Sequence, residues 1–557
     1  MEAHDYTGMP RRHLEYPELT MFQMVEKAAA QYPDEPAYEF YGRKVSYKDF
    51  CTRVVRTASG LYEAGIRKND AVTICLPNVP QALDSFYALN HIGAAANMIH
   101  PLSAEEEITY YLDIAASRWI ITLDMFYEKV RKAADAAKQD VTVICARIQD
   151  ELPLHLKYIY ILKAGRPYLK FPEDRDILFT DIIRKTGAAI PQNRFEKDHT
   201  AVILYSGGTS GKPKGVCLSD LNFNACAMQV REAIQMNFQP GLTMLSCMPM
   251  FHGFGLGINI HAVLAHGVCC ILMPNFNIRS YSDMLIKRHP SFIAGVPTIF
   301  DALLHADKLK NADLSFLKGV FCGGDSLSVD LKQRVDSFLH ERHADIQIRE
   351  GYGLTECVTA SCLTPRDIYR INSIGLPFPD TVYDIVKPGT TESAGVNEEG
   401  EIVLKGPSVM LGYLNNEEET KETLKRRDDG DVWLFSGDLG KIDEDGYVYF
   451  IRRLKRMIVT NGYNVYPDRI EEVINHCDCV DISCVIGLPD AKRGQRVTAF
   501  VVPEEGADKD DLRAKIMDAL KRSTAAYAIP KDIIFKDDLP RTLVGKIAYR
   551  KLEEEYQ

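Results

Sequence analysis

The sequence predicts an α/β protein with a large N-terminal domain of parallel-type β/α sheets, a β-rich subdomain and a small C-terminal α+β domain. Three observations predict it. The chain has 557 residues, more than one hydrophobic core usually supports. Short apolar runs alternate with helix-like stretches through its first three-quarters, the pattern of strands joined by crossover helices. After about residue 380 the texture shifts to strands joined by Gly/Asp turns, and from residue 456 to a compact unit of strands and helices.

Near the N-terminus, "LTMFQMVEKAAAQYP" is expected to be a helix with Thr20 as its N-cap. "VSYKDFCTRVVRTASGLYEAG" opens on Ser46-x-x-Asp49 and ends at Gly65, a capped start and a glycine stop. "DAVTICLP", "TAVILYS", "FIAGVP" and "GVFCGG" are short buried strands, each followed by turn or helix signals. Ligands of such sheets bind at the carboxyl ends of the strands. Residues 253–274, "GFGLGINIHAVLAHGVCCILMP", are long enough to suggest a membrane span. Asn259, His261, His266 and the glycines spoil it, so a buried helix followed by a core strand is expected.

Farther on, "YDIVKPG", "GEIVLKGPSVMLGY" and "WLFSGDLGKIDEDGYVYFIRRLKRMIV" indicate antiparallel strands. "RIEEVINHC" and "KDDLRAKIMDALKRS" indicate helices, and "ISCVIGLP" and "RVTAFVVPEEG" strands. A boundary at 454/455 divides the chain into domains 1–454 and 455–557.

Composition narrows the function. Hydrophobic residues make up 46% and charged ones 26%, ordinary for a globular protein. A net charge of -11 argues against a nucleic-acid partner. Fourteen scattered cysteines include no C-x-x-C and no zinc spacing, so reduced buried thiols and a cytoplasmic location are expected. Neither a signal peptide at the N-terminus nor a lipidation signal at the C-terminus is read. Residues 155–171, "HLKYIYILKAGRPYLKF", hold four Lys/Arg, three Tyr and no acid. They are expected to make a peripheral membrane contact or guide a lipid-like substrate, against the plainer alternative of a solvated face.

Residues 204–220, "LYSGGTSGKPKGVCLSD", set glycines, hydroxyls and lysines between a strand and a helix-like run, a composition suited to wrapping a polyanion. A Walker A loop is excluded, because Pro213 follows Gly211-Lys212 and Ser206 stands where its first glycine belongs.

Other motifs follow in order: "GYGLTE" at 351–356, "SGDLG" at 436–440, "RRLKRMIVTNGYNVYPDRIEE" at 452–472 and "PRTLVGKIAYRKL" at 540–552. Together with "YSGGTSGKPKG" they resemble the acyl-adenylate-forming (AMP-binding) superfamily, most closely its fatty acyl-CoA synthetases, over essentially the whole chain. The resemblance implies an ATP-dependent acid–thiol ligase. A carboxylate attacks the α-phosphate of ATP, pyrophosphate leaves, and the thiol of coenzyme A then attacks the acyl-adenylate.

It also implies roles for residues. The loop of Ser206, Gly207, Gly208, Thr209, Ser210, Gly211 and Lys214 would hold the β- and γ-phosphates, although Gly207 stands where a hydroxyl is usual. Glu356 would hold Mg²⁺, with Thr355 near the α-phosphate; Tyr352, beside Gly353, would stack on adenine. Gly323, Gly324 and Asp325 in "FCGGDSLS" match the adenine-contact segment, with Asp325 in place of a smaller residue. Asp438 would accept from the ribose hydroxyls, although Ser436 replaces the commoner Thr, and Arg453 would reach the nucleotide. Lys455 matches the hinge of a small mobile C-terminal α+β domain, Gly462 and Tyr463 the segment near the pantetheine arm. Lys546 matches the lysine that bridges substrate carboxylate and α-phosphate.

His252 in "MPMFHGFGLG" falls at the pocket mouth of the family. Gly253-Phe254-Gly255 offers no carboxylate for an α-ammonium group, and its alternating glycines are expected to leave room for a hydrocarbon tail. A medium- or long-chain fatty acid with CoA as acceptor is the favoured reading. An aryl, cinnamic-type or steroid acid, an acyl carrier protein as acceptor, and an inactive acyl-nucleotide-binding scaffold are the alternatives; a homodimer is left open.

Overall fold

A computed structural model describes residues 13–164, 175–185, 189–191, 193–206, 213–236, 238–454, 458–460, 463–465, 467–490, 494–524, 528–541 and 547–556. One sheet has eight strands in the order Gly412–Tyr413, Lys214–Ser219, Thr200–Ser206, Ala95–Met98, Ala71–Cys75, Trp119–Leu123, Thr142–Ala146 and Ile177–Leu178. From Thr200–Ser206 to Ile177–Leu178 every neighbouring pair is parallel, so their carboxyl ends, Ser206 among them, share one edge. A second sheet has nine strands, with a parallel run Ile348–Gly353, Gly319–Cys322, Phe292–Gly295, Thr243–Ser246 and Cys269–Leu272. Four strands, Ala95–Met98, Cys269–Leu272, Phe292–Gly295 and Gly319–Cys322, are buried at every residue. Continuous burial is what parallel strands covered on both faces require.

The expected caps are present. Gln23 N–H donates to Thr20 Oγ1 at 3.3 Å while Gln23 Oε1 accepts from Thr20 N–H at 2.9 Å, closing a capping box on the helix Met21–Gln31. Ser46 caps Tyr47–Glu63 through Asp49 N–H at 3.1 Å, and Gly65 follows at φ 105°, open to glycine at little cost.

Residues 254–261 form a buried π-helix, continued by Ala262–Leu264 and the strand Cys269–Leu272. It carries two polar residues, Asn259 and His261, and both ring nitrogens of His261 are satisfied. Asn224 donates through Nδ2 to Leu19 O at 2.7 Å, so its Oδ1 accepts from His261 Nε2–H at 2.9 Å. His261 Nδ1 in turn accepts from the Tyr87 hydroxyl at 3.1 Å, and burial drives the imidazole down to about 3, keeping it neutral. No described helix is long and apolar enough to cross a membrane. All fourteen cysteines are free, and only Cys51, Cys477 and Cys479 are not fully buried.

Beyond residue 380 comes an antiparallel five-stranded sheet of Val382–Val386, Gly400–Lys405, Val432–Ile442, Leu424–Arg426 and Val448–Arg453. The C-terminal part places the helices Pro467–Asn475 and Lys509–Ser523 on a sheet led by Val480–Asp490 and Gly494–Pro503. Its cores draw on Ile458, Ile470, Val485, Ile516, Phe500 and Leu552, all after 454, while the main core ends at Val448. We propose 454/455 as the domain boundary on that separation. Brief trypsin digestion of the native chain is expected to cut first within Arg452–Arg456, leaving two stable fragments; first cleavage elsewhere would count against the boundary.

Candidate active site

Ser206 closes the strand Thr200–Ser206 and lies opposite Lys214, so the glycine-rich segment is the connection of an antiparallel hairpin. Gly207, Gly208, Thr209, Ser210, Gly211 and Lys212 lie outside the described residues. The two ends of the loop are described in full.

At one end, the Ser206 hydroxyl donates to Glu356 Oε1 at 2.9 Å. The same oxygen accepts from the Tyr413 hydroxyl at 2.8 Å, and burial together with Glu356 pushes the Tyr413 phenol far above its usual range. At the other end, Lys214 is buried and ion-paired with Glu419, its Nζ 5.2 Å from the centre of the Tyr413 ring. Tyr413 is placed by its pairing with Val216 and by backbone bonds from Leu411 N to Cys217 O and Leu414 N to Gly215 O. Both ends of the loop are thus pinned to the 411–419 segment. Glu356 is the carboxylate that meets both hydroxyls, and among the described residues no group of three or more His, Cys, Asp or Glu side chains is placed to hold a metal ion. Such a set fits Mg²⁺, which takes one or two carboxylates and completes its shell with water and phosphate oxygens.

Glu356 reaches this position through an unusual turn. Thr355–Cys357 form one 3₁₀ turn, and Val358 follows at φ 66°, ψ -59°. Thr359 N–H donates to Cys357 O at 2.8 Å, which makes Val358 the centre of a γ-turn of the positive-φ kind. A β-branched residue there is strained by roughly 1–3 kcal/mol. Gly353 leads into it, and a Cβ at that glycine would lie 1.4 Å from Thr359 O.

A second cluster lies at the end of the nine-stranded sheet. Tyr352 donates its hydroxyl to Asp438 Oδ2 at 2.7 Å and sets its ring 6.1 Å from that of Phe450. Asp438 is buried; its N–H bonds Ser436 Oγ at 3.0 Å, and Arg453, its cross-strand partner, brings Nε to 3.5 Å from Oδ1. Gly323 and Gly324 follow the strand Gly319–Cys322, Gly324 at φ 80°, and Asp325 is exposed with Oδ1 accepting Ser326 N–H at 2.9 Å. Behind this segment, half-buried Glu350 accepts Leu327 N–H at 3.0 Å; loss of water around it raises its carboxyl to about 7.

His252 Nδ1 accepts Phe254 N–H at 3.2 Å at the start of the π-helix. The neighbouring glycines do not open a slot, contrary to expectation. A Cβ on Gly253 would lie 1.7 Å from Val358 O and one on Gly255 2.0 Å from Pro249 O, so backbone already fills the space. Lys455, Gly462 and Lys546, and the side chain of Tyr463, lie outside the described residues; the backbone of Tyr463 opens the strand Tyr463–Val465. Tyr413 and Glu419 were not singled out from sequence, where "GYLNNEEETKE" resembles a solvated acidic turn.

Comparison with known proteins places the chain in a family. The family described as AMP-binding enzyme matches residues 25–414, and its C-terminal domain matches residues 469–546. A Bacillus subtilis protein named "Long-chain-fatty-acid--CoA ligase" is 35% identical, covering 99% of this chain and 97% of its own. A Salmonella typhimurium protein of the same name is 30% identical, covering 96% and 94%. Crystalline ATP-bound MatB from Rhodopseudomonas palustris superposes with a TM-score of 0.80 at 25% identity, covering 97% of this chain and 99% of that one. The chain belongs to the AMP-binding enzyme family and is an AMP-forming acid–thiol ligase.

Lys214 and Glu419 are expected to behave as one unit. Lys214→Met or Glu419→Gln alone should each lower stability to urea by about 2–4 kcal/mol, because each strands a charge that is buried (Lys214) or half-buried (Glu419). The double variant should lose less than the sum, with a coupling of about 1–3 kcal/mol; additive losses would mean that the pair is independent.

Proposed function

We propose that the protein joins a medium- or long-chain fatty acid to coenzyme A through an acyl-adenylate, releasing AMP and pyrophosphate. The observation that carries the reading is the meeting of Ser206 and Glu356 at the mouth of the glycine-rich loop, 150 residues apart in sequence. The names of the relatives favour a fatty acid over the aryl, cinnamic-type or steroid alternatives.

On this reading Glu356 would hold Mg²⁺, which would supply positive charge beside the phosphates. Ser206 and Tyr413 fix the carboxylate by donating to one oxygen, which leaves its other oxygen for the cation. Loop amides with Thr209 and Ser210 grip the β- and γ-phosphates, each charge-assisted bond contributing about 1.5–3 kcal/mol. Asp438, preset by Tyr352 and Arg453, receives the ribose hydroxyls, with Thr355 near the α-phosphate and His252 at the mouth for the acid. Lys546 brings carboxylate and α-phosphate together and stabilises charge on the phosphoryl oxygens. The C-terminal domain then turns about Lys455 to admit the thiol beside Gly462 and Tyr463.

The half-reactions should separate. Lys546→Ala is expected to abolish most acid-dependent ATP–pyrophosphate exchange and to spare thioester formation from supplied acyl-adenylate; Lys455→Pro should do the reverse. Equal loss of both steps in either variant would overturn its assigned role. Exchange scored over acids graded by chain length and ring content tests the substrate.

The same reading gives the 155–171 segment a role at a lipid surface. Its described part, 155–164, lies in the helix Leu154–Ala164, which exposes Tyr158 and Leu162, with Leu154 just before the segment, at four-residue spacing, with 68%, 83% and 74% of their surfaces open. Such a stripe, followed in sequence by Arg166 and Lys170, suits an anionic bilayer that supplies the acid. Replacing all three by Ser should weaken co-sedimentation with phosphatidylglycerol vesicles and leave exchange with a short soluble acid unchanged. Undiminished co-sedimentation would remove the lipid-surface role.

A further inference from the structure

The γ-turn at Val358 is the most strained feature beside the site, and it is held from two sides. Val358 O occupies the notch left by Gly253, where a Cβ would come within 1.7 Å. Thr359 O sits against Gly353, where a Cβ would come within 1.4 Å. Val358 Cγ1 and Thr359 Cγ2 face Gly257, whose added Cβ would meet them at 3.0 and 3.2 Å. Val358 and Cys357 are fully buried, and Glu356 O accepts Met410 N–H at 2.8 Å. Two uncommon backbone forms, a positive-φ γ-turn and an eight-residue π-helix, therefore interlock through glycines directly behind Glu356.

We propose that Val358 is a positioning residue. Its side chain, seated against Gly257, and the notched π-helix Phe254–His261 hold a turn that valine's own preference opposes, and the turn so held fixes the Glu356 carboxylate against Ser206 and Tyr413. The inference rests on the reading of Glu356 as the Mg²⁺ carboxylate. An ordinary turn would let the chain relax after Cys357, and the carboxylate would then have to be ordered each time the cation binds. Here that ordering is already built in, and the wall that ends at His252 shares the same support.

The test is ATP binding to the full-length protein without acid, followed by calorimetry while Mg²⁺ is titrated. Val358→Ala keeps the Cβ, and with it the opposition to positive φ, but loses the methyl groups that seat the turn; Val358→Gly loses the seat and the opposition together. The Ala variant is expected to need about three- to tenfold more Mg²⁺ for half-maximal ATP binding, the Gly variant less than about twofold more. Gly257→Ala, which presses on Val358 from the π-helix, should raise the requirement in the same sense. Equal shifts in the Gly and Ala variants, or a larger one in Gly, would overturn the proposal. If Val358→Ala does not fold, an unchanged requirement in Gly257→Ala overturns it as well. Glu356→Gln separates the two levels. A shift there with none in Val358→Ala rejects the positioning role alone; no shift in Glu356→Gln rejects the reading of Glu356 itself.

Discussion

One carboxylate oxygen, Glu356 Oε1, is the point on which the site depends. It takes hydroxyl hydrogens from Ser206 and Tyr413, so three distant stretches of chain must converge within hydrogen-bond length. Each of these bonds has a charged acceptor and contributes about 1.5–3 kcal/mol. The donors are neutral hydroxyls, so the negative charge is oriented without being cancelled. Tyr413 can serve only because its segment is built onto the strand Lys214–Ser219, whose partner strand carries Ser206. The hairpin and the Glu356 carboxylate are therefore joined through one set of strand pairings and hydrogen bonds.

Asp438 shows the complementary solution. It is buried, with a hydroxyl donor in Tyr352 and a cation in Arg453, and Ser436 takes its N–H. Ser436 donates in turn to Ile402 O at 2.6 Å, and Gly437 N–H bonds Glu401 Oε1 at 2.9 Å, so the β-rich sheet holds the acidic residue in place. A carboxylate that must grip a neutral sugar gains from being fixed and partly neutralised. One that must grip a cation gains from keeping its charge. The two environments differ in that sense, and it is the sense that the proposed ribose and metal roles require.

Much of this was legible in the sequence. Parallel strands announced themselves as uninterrupted apolar runs, the caps at Thr20 and Ser46 followed from side-chain chemistry, and Ser206 and Glu356 stood out as motif members. Tyr413 and Glu419 did not, because "NNEEETKE" has the composition of a solvated helix turn and only tertiary pairing turns Glu419 inward against Lys214. The glycines of 253–257 misled for a physical reason. Glycine reports that something comes close, not whether it is ligand or backbone, and here Val358 O and Pro249 O take the space. A Val at positive φ has no sequence signature at all, since local preference argues against it and only the surrounding notches impose it.

The commitment of Lys214 to Glu419 bears on how the reaction can proceed in two halves. A lysine anchored over the phosphates throughout would favour the triphosphate, but it would equally hold the pyrophosphate that has to leave. With Lys214 occupied at the base of the hairpin, the proposed grip on the phosphates would rest on amides, hydroxyls and a magnesium ion. On the proposed reading the cation needed during adenylation would be Lys546, carried on a separate domain and withdrawn once the adenylate has formed. Charge fixed in the large domain would then orient, and charge carried by the small one would be supplied only for the step that needs it.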